Sequence, residues 1–165
     1  MAEEDSLVTL VTRYQHRLYR YLLRLVRDPA TAEDLFQQTW LRVVQNIRRY
    51  DALRSFEAWL FSVAHNLAID HLRRQRFESL DGPPAEPAAS DPDALERCLA
   101  SERAGLVAAS MSELPALYRE VLTLRFEEEL KLEEIAEVVH APLSTVKSRL
   151  RRALEGLRSK LETRV

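Results

Sequence analysis

The sequence predicts an all-α protein: two small helical domains joined by a Pro-rich flexible linker, the C-terminal one containing a helix-turn-helix. Three observations carry this. Apolar residues recur at 3–4 spacing through most of the 165-residue chain. Gly is scarce, at three residues, and no two-residue hairpin signal lies between alternating strands. Residues 78–93, ESLDGPPAEPAASDPD, hold four of the seven prolines and one of the three glycines. That composition cannot bury a core and is expected to stay extended or mobile. The domains are therefore expected at 1–77 and 94–165, on either side of a linker at 78–93.

Charge and cysteine content narrow the function classes. The net charge is −2, with a sequence pI near 6.1. Residues 1–77 carry 12 Lys+Arg and 9 Asp+Glu, residues 78–111 carry 2 and 7, and residues 112–165 carry 10 and 10. This balance argues against a protein that coats nucleic acid through bulk charge, and is compatible with a specific binder that has local basic faces. A single Cys98 leaves no internal disulfide and no cysteine-based zinc site, which fits a reducing cytoplasm. The acidic start MAEEDSLV has no secretory pattern, and no stretch approaches the roughly 18 apolar residues of a membrane span.

Taken in order, residues 5–27 read as a long amphipathic helix with Leu7, Leu10, Val11, Tyr14, Leu18, Tyr21, Leu22 and Leu25 on one face. Arg13, Arg17, Arg20, Arg24 and Arg27 decorate the rest and are read as a solvated face. Asp28-Pro29 stops it. A second helix is expected from Thr31 as N-cap to about Ile47, with Glu33 and Asp34 in its first turn. Its buried stripe would be Leu35, Phe36, Trp40, Val43, Val44 and Ile47, and its polar face Asp34, Gln37, Gln38 and Arg42. A third helix is expected from Ser55 as N-cap to about Arg76, with Phe56, Trp59, Leu60, Val63, Leu67 and Ile69 inward. Asn66, Asp70, Arg73, Arg74 and Arg76 would form its polar, then basic, face. His65 and His71 do not share a face, so no metal site is expected there.

After the linker, helical spacing resumes at Leu95, Leu99, Leu106 and Met111. Pro115 then opens a helix whose wide apolar face would be Leu117, Val121, Leu122, Leu124 and Phe126. The segment Leu132–Ala153, LEEIAEVVHAPLSTVKSRLRRA, reads as two short helices with a break. Leu132, Ile135, Ala136 and Val139 make one face of the first, and Pro142 ends it by restricting the residue before it. Ser144 or Thr145 would cap the second, whose narrow stripe would be Val146, Leu150 and Leu154. Residues 157–165 are expected to fray. The first helix is acidic. The second carries Lys147, Arg149, Arg151, Arg152, Arg158 and Lys160 against a lone Glu155. An acidic helix, a tight turn and a basic helix with a small polar start is helix-turn-helix patterning, the second helix being the one that enters a major groove.

Two blocks in this order, DLFQQTWLRVVQNI with FEAWLFSVAHNLAIDHLRR and then LPALYREVLTLRFEEELKLEEIAEVVHAPLSTVKSRLRRA, resemble an extracytoplasmic-function (ECF) sigma factor of bacterial RNA polymerase. The resemblance covers about residues 7–77 and 112–156 and implies regions 2 and 4 only. It implies that Asp34, Leu35, Phe36, Gln37 and Gln38 dock on the β′ clamp of the polymerase. It implies that Arg48, Arg49, Tyr50 and Arg54, in the loop from Arg48 to Ser55, receive a flipped base of the −10 element, and that Asn66, Asp70, Arg73 and Arg74 lie along the melted strand. Ser144, Thr145, Lys147, Ser148, Arg149, Arg151 and Arg152 would serve the −35 element. Partners implied are core polymerase, through the clamp and the β flap, promoter DNA and an anti-sigma factor. No cofactor, metal or membrane insertion is implied.

Two positions depart from the family pattern. His140 stands where many members have Gly, and a positive φ there costs His more than Gly. Arg151 stands where many carry an aromatic or aliphatic residue, so a phosphate is as open to it as a base. Two other readings stand beside this one. A stand-alone helix-turn-helix regulator explains residues 112–156 but not the N-terminal blocks. A helical-bundle metal enzyme would use Glu137 and His140 as an ExxH, but no second ExxH is present. No nucleophile–base pair or Gly-rich phosphate loop is found, so catalysis is expected to belong to the polymerase.

Overall fold

A computed structural model describes residues 2–51, 53, 55–78 and 102–164 of the chain. Seven α-helices and no strands are found among the described residues. They are α1 Ala2–Val26, α2 Pro29–Asn46, α3 Phe56–Glu78, α4 Glu102–Ser112, α5 Ala116–Leu122, α6 Leu132–Val139 and α7 Leu143–Arg164. A 3₁₀ turn, Ile47–Arg49, follows α2, and a π-helical turn, Thr123–Glu127, follows α5. No described helix is long and apolar enough to cross a membrane. The expected linker beyond Glu78, together with Leu95, Cys98 and Leu99, lies outside the described residues.

Helices α1, α2 and α3 form the N-terminal set. Tyr14, Leu18, Tyr21, Leu22 and Leu25 of α1 are buried against Leu35 and Val43 of α2 and Leu60, Phe61, Ala64 and Leu67 of α3. Phe61 meets Tyr21 edge-on at 5.2 Å. The break after α1 is sharper than the sequence implies. Arg27 takes a left-handed φ of 62°. Asp28, not Thr31, is the N-cap of α2: its carboxylate accepts from the Thr31 N–H at 3.3 Å and hydroxyl at 2.6 Å. Pro29 is then the first helical residue, where its missing N–H costs nothing. Glu33 and Asp34 consequently fall beyond the first turn. Ser55 does cap α3, accepting from the Ala58 N–H at 3.2 Å.

The C-terminal set packs α5, α6 and α7 around Val121, Leu122, Leu124, Leu130, Ile135, Val138, Val146 and Ala153. Leu117 and Phe126, expected inside, are exposed. The π turn explains Phe126: its wider hydrogen-bonding turn advances fewer degrees per residue, so Phe126 no longer lies beneath Leu122. Leu154 is likewise exposed, and Ala153 takes its place in the core. Helix α7 begins at Leu143, and the Pro142 carbonyl accepts from Thr145 and Val146. Ser144 and Thr145 therefore lie inside the first turn and do not cap it. The tail does not fray but continues α7 to Arg164, with Lys160 and Arg164 paired to Glu113. Gly156 permits the close approach there, because a Cβ would lie 3.1 Å from Leu114 Cδ2.

The two sets are packed on each other. Helix α6 lies on α3, and α5 lies on α1. Arg17, Arg20 and Arg24 of the α1 arginine row are accordingly not a solvated face, whereas Arg13 is exposed as expected. Arg17 pairs with Glu57 and Glu128, Arg20 with Glu127 and Glu128, and Arg24 with Glu127.

Candidate nucleic-acid interface

On α2, Asp34, Gln37 and Gln38 sit at i, i+3 and i+4 and are all exposed, with Gln38 Nε2 donating to Asp34 Oδ2 at 2.8 Å. Leu41 and Val44 extend the same line at i+7 and i+10 and are 59% and 46% exposed. Val44 had been expected inside. It points out because α1 and α3 cover only the opposite side of α2. Leu35, expected at an interface, is buried in the core and can support the face but not touch a partner. Phe36 is half-buried between Tyr19 and Trp40, with edge contacts of 6.2 and 6.3 Å.

Arg48 and Arg49 are exposed on the 3₁₀ turn. Tyr50 stacks on Trp59 at 5.1 Å and 27°, with Phe56 edge-on at 5.6 Å. Burial pushes the Tyr50 hydroxyl above its ordinary value, and Asp51 adds to this. Asp51 also accepts from the Leu53 N–H at 3.0 Å, leaving the Leu53 side chain 95% exposed. Arg54 lies outside the described residues. On α3, Asn66, Asp70 and Arg73 share an exposed face at i, i+4 and i+7. Arg74 pairs with Asp70 at 2.8 Å, which offsets the one negative charge on a face expected to meet phosphates.

The turn between α6 and α7 is built on a left-handed residue. His140 has φ 53° and ψ 46°, and the N–H of Ala141 bonds to the Ala136 carbonyl at 3.2 Å. This closes the last turn of α6 as a left-handed cap does. The His140 ring lies 3.4 Å from Ser62 Oγ and 6.0 Å from the ring of His65, so the turn rests on α3. At the other end of α6, the Glu134 carboxylate accepts from the Lys131 N–H at 3.2 Å. From α7, Ser144, Lys147, Ser148 and Arg151 fall at i, i+3, i+4 and i+7. Ser144, Lys147, Arg151 and Arg152 are exposed, whereas Thr145, Ser148 and Arg149 are half-buried. Thr145, Ser148, Arg149 and Arg152 border a groove against Leu117 and Tyr118 of α5.

A second groove joins the two sets. Arg42, Asn66, Asp70 and Arg73 line one side, and His140 and Arg149 the other. Arg42 was read from sequence as part of the α2 polar face, and nothing in its spacing ties it to α7. Among the described residues, no group of three or more His, Cys, Asp or Glu side chains is placed to hold a metal ion.

Comparison with known proteins adds the family. The Sigma-70 region 2 pattern matches residues 10–78, and the Sigma-70 region 4 pattern matches residues 105–157. The chain is 31% identical to the ECF RNA polymerase sigma factor SigW of Bacillus subtilis, over 96% of this chain and 90% of that protein. It is 35% identical to the ECF RNA polymerase sigma factor SigL of Mycobacterium tuberculosis, over 98% and 92%. The fold is similar to that of the sigma factor RpoE in complex with the anti-sigma factor NepR from Bartonella quintana. The TM-score is 0.80 at 22% identity, covering 93% of this chain and 95% of that one. It is also similar to CnrH in complex with the cytosolic domain of CnrY, with TM-score 0.71 at 21% identity, covering 97% and 90%.

Proposed function

Because the chain belongs to the ECF sigma factors of RNA polymerase, we propose that it divides promoter recognition between its two helical sets and docks on the polymerase through α2. Residues 1–77 would serve the −10 element and the β′ clamp, residues 78–93 would be the tether, and residues 94–165 would serve the −35 element and the β flap. Asp34, Gln37 and Gln38, with Leu41 and Val44 beside them, are the clamp contact. Arg48, Arg49, Tyr50 and Arg54 border the flipped base, and Asn66, Asp70, Arg73 and Arg74 follow the single strand. The Tyr50–Trp59–Phe56 stack supports this, since single-strand binders hold bases on aromatic platforms flanked by cations.

One observation carries the −35 assignment. Lys147 and Arg151 are exposed on the same face as Ser144 and Ser148, on the helix that follows a left-handed turn. That face offers donors for guanine O6 and N7 and small hydroxyls for either base edge, with Thr145, Arg149 and Arg152 flanking it for phosphates. Bond making belongs to the polymerase, and the chain acts in the cytoplasm as its specificity subunit. An anti-sigma factor is the expected regulator, as accompanies the sigma factor RpoE in the similar structure from Bartonella quintana.

Run-off transcription with core polymerase on a panel of promoters tests this. Transcripts should start from a defined subset of promoters only when the chain is added. The purified chain alone should bind the same DNA poorly. Tight, site-specific binding without polymerase, and no promoter-specific transcript with it, would favour a stand-alone helix-turn-helix regulator.

A further inference from the structure

Three helices each place one arginine on the second groove: Arg42 of α2, Arg73 of α3 and Arg149 of α7. Among the described residues, no carboxylate pairs with any of the three. The arginines of α1 differ in this, since Arg17, Arg20 and Arg24 all find glutamates. Asp70 is the one carboxylate on the described lining, and it is already bonded to Arg74 at 2.8 Å. Three guanidiniums against one occupied carboxylate leave the groove with an excess of positive charge. Leu67, Ile69, Leu117 and Val139 make up its apolar part. An apolar wall lowers the local dielectric. It strengthens the attraction of the guanidiniums for an anion, and equally their repulsion for one another. The arrangement is therefore one that an anion relieves.

We propose that this groove binds a small oligophosphate anion, a chain of two or three linked phosphates, held by Arg42, Arg73 and Arg149. A guanidinium presents a planar fork of donors that matches phosphate oxygens bidentately. The groove has a volume of about 500 Å³, within the range of roughly 300–1,000 Å³ typical of small-molecule sites. A single phosphate would fill a small part of it and leave a guanidinium without a counter-charge. A chain of phosphates extends from one fork to the next. His140 lines the same groove. Its Nε2 lies 3.4 Å from Ser62 Oγ, and its Nδ1 is left for a further polar contact. Inorganic tripolyphosphate and a nucleoside triphosphate share this chemistry. Asn66 supplies the one side-chain amide of the described lining, where a base edge would find both a donor and an acceptor. Arg73 and Arg149 are also the proposed contacts to the −10 strand and the −35 phosphates. A bound oligophosphate and promoter DNA therefore compete for them. Arg42 has no part in either role.

Only that competition rests on the promoter roles proposed above; the site itself does not, and its test begins without polymerase. In isothermal titration calorimetry of the whole chain, tripolyphosphate should bind at a single site, more tightly than orthophosphate and more weakly as salt is raised. Arg42→Gln should lower that affinity roughly tenfold, as loss of a charge-assisted contact does. Arg42→Lys, which keeps the charge and loses the fork, should recover part of it. Arg13→Gln, at an exposed arginine outside the groove, should change nothing. Tighter binding by ATP than by tripolyphosphate identifies a nucleotide as the source, and equal or weaker binding an inorganic chain. Equal losses for Arg42→Gln and Arg13→Gln overturn the site, as does tripolyphosphate that binds no more tightly than orthophosphate. In a second arm, with core polymerase, promoter DNA and magnesium ion in excess, tripolyphosphate should reduce the promoter complex of the parent. Arg42→Gln should form that complex as well as the parent does and resist its loss by roughly tenfold, following the lost affinity. Equal sensitivity of the two proteins overturns the competition. An Arg42→Gln chain that loses promoter complex without any oligophosphate makes Arg42 a DNA contact and overturns its assignment here. A parent that binds tripolyphosphate but forms no promoter complex overturns the promoter reading and leaves the site standing.

Discussion

At the scale of single residues, the cations of α7 divide by position. Lys147 stands clear on the outer face, whereas Arg149 is half-buried where the two grooves meet. Lys147→Ala should cost about 1–3 kcal/mol on the preferred −35 element and little on others, as loss of a base contact does. Arg149→Ala should weaken binding evenly across sequences and flatten the salt slope by roughly one unit. Equal losses on every −35 variant for both substitutions would reject that division. Asp28 makes a different kind of contribution. Its hydrogen bond to the Thr31 hydroxyl, aided by the Thr31 and Ala30 N–H groups, holds its carboxyl below the ordinary value of 3.8. A carboxyl depressed on folding stabilises the protein above its unfolded pKa, and that contribution disappears as pH falls through the folded pKa. Asp28→Ala should therefore lower stability by about 1 kcal/mol near neutrality. The difference from the parent should shrink once the pH drops below about 4. Urea titrations at pH 7 and pH 3 would measure it. A difference that is equal at both pH values would mean the cap acts without its charge.

At the scale of elements, α2 and the turn after α6 each combine a local rule with a neighbour's constraint. The α2 face carries Asp34 and Gln38 in an exposed i, i+4 pair, away from the core residues Ala32, Leu35, Trp40 and Val43. Replacing both with Ala should leave helicity unchanged and shift stability by no more than about 0.5 kcal/mol. Binding to core polymerase should nevertheless weaken. Undiminished co-elution of the double variant with core polymerase would remove α2 from the interface. In the turn, His140 occupies a left-handed conformation that costs an L residue about 1–2 kcal/mol. His140→Gly relieves this but makes the unfolded chain more flexible, so a net gain of only about 0.5 kcal/mol is expected. Thermal unfolding should show a small rise. A fall would mean that the ring contacts with Ser62 and His65 outweigh the backbone strain.

At the scale of the whole molecule, one buried cluster runs through both helical sets, and Arg119 stands at the junction. Burial pushes its guanidinium down to about 10, with Arg27 adding repulsion, so it is still charged at neutral pH. It serves the carbonyls at the end of α1, which lie more than ninety residues away in sequence. Arg119→Met keeps much of the volume and removes the donors. It should destabilise the closed arrangement by about 2 kcal/mol, since bonds to charged groups contribute more than neutral ones. Hydrogen exchange along α1 and α5 should accelerate accordingly. Unchanged protection there would show that the apolar contacts alone hold the sets together.

The sequence by itself determined the helices, the cap at Ser55, the helix start at Pro115, the break at His140-Ala141-Pro142 and the basic face of α7. Each of these follows from spacing within one or two turns, where side-chain direction and backbone preference act locally. It also made Asp34, Gln37 and Gln38 legible as one polar face of α2. Only the tertiary structure decided which way the ambiguous residues turned. Leu35 went into the core while Leu41 and Val44 stayed out, because α1 and α3 cover one side of α2 and nothing in the helix's own periodicity says how wide that cover is. Phe126 was lost from the apolar face through a π turn that has no local signature. The arginine row of α1 looked solvated because its partners, Glu127 and Glu128, are separated from Arg17 and Arg20 by more than a hundred residues. A charge pattern specifies that a side chain will pair or hydrate, but which of the two happens depends on what the fold brings within reach.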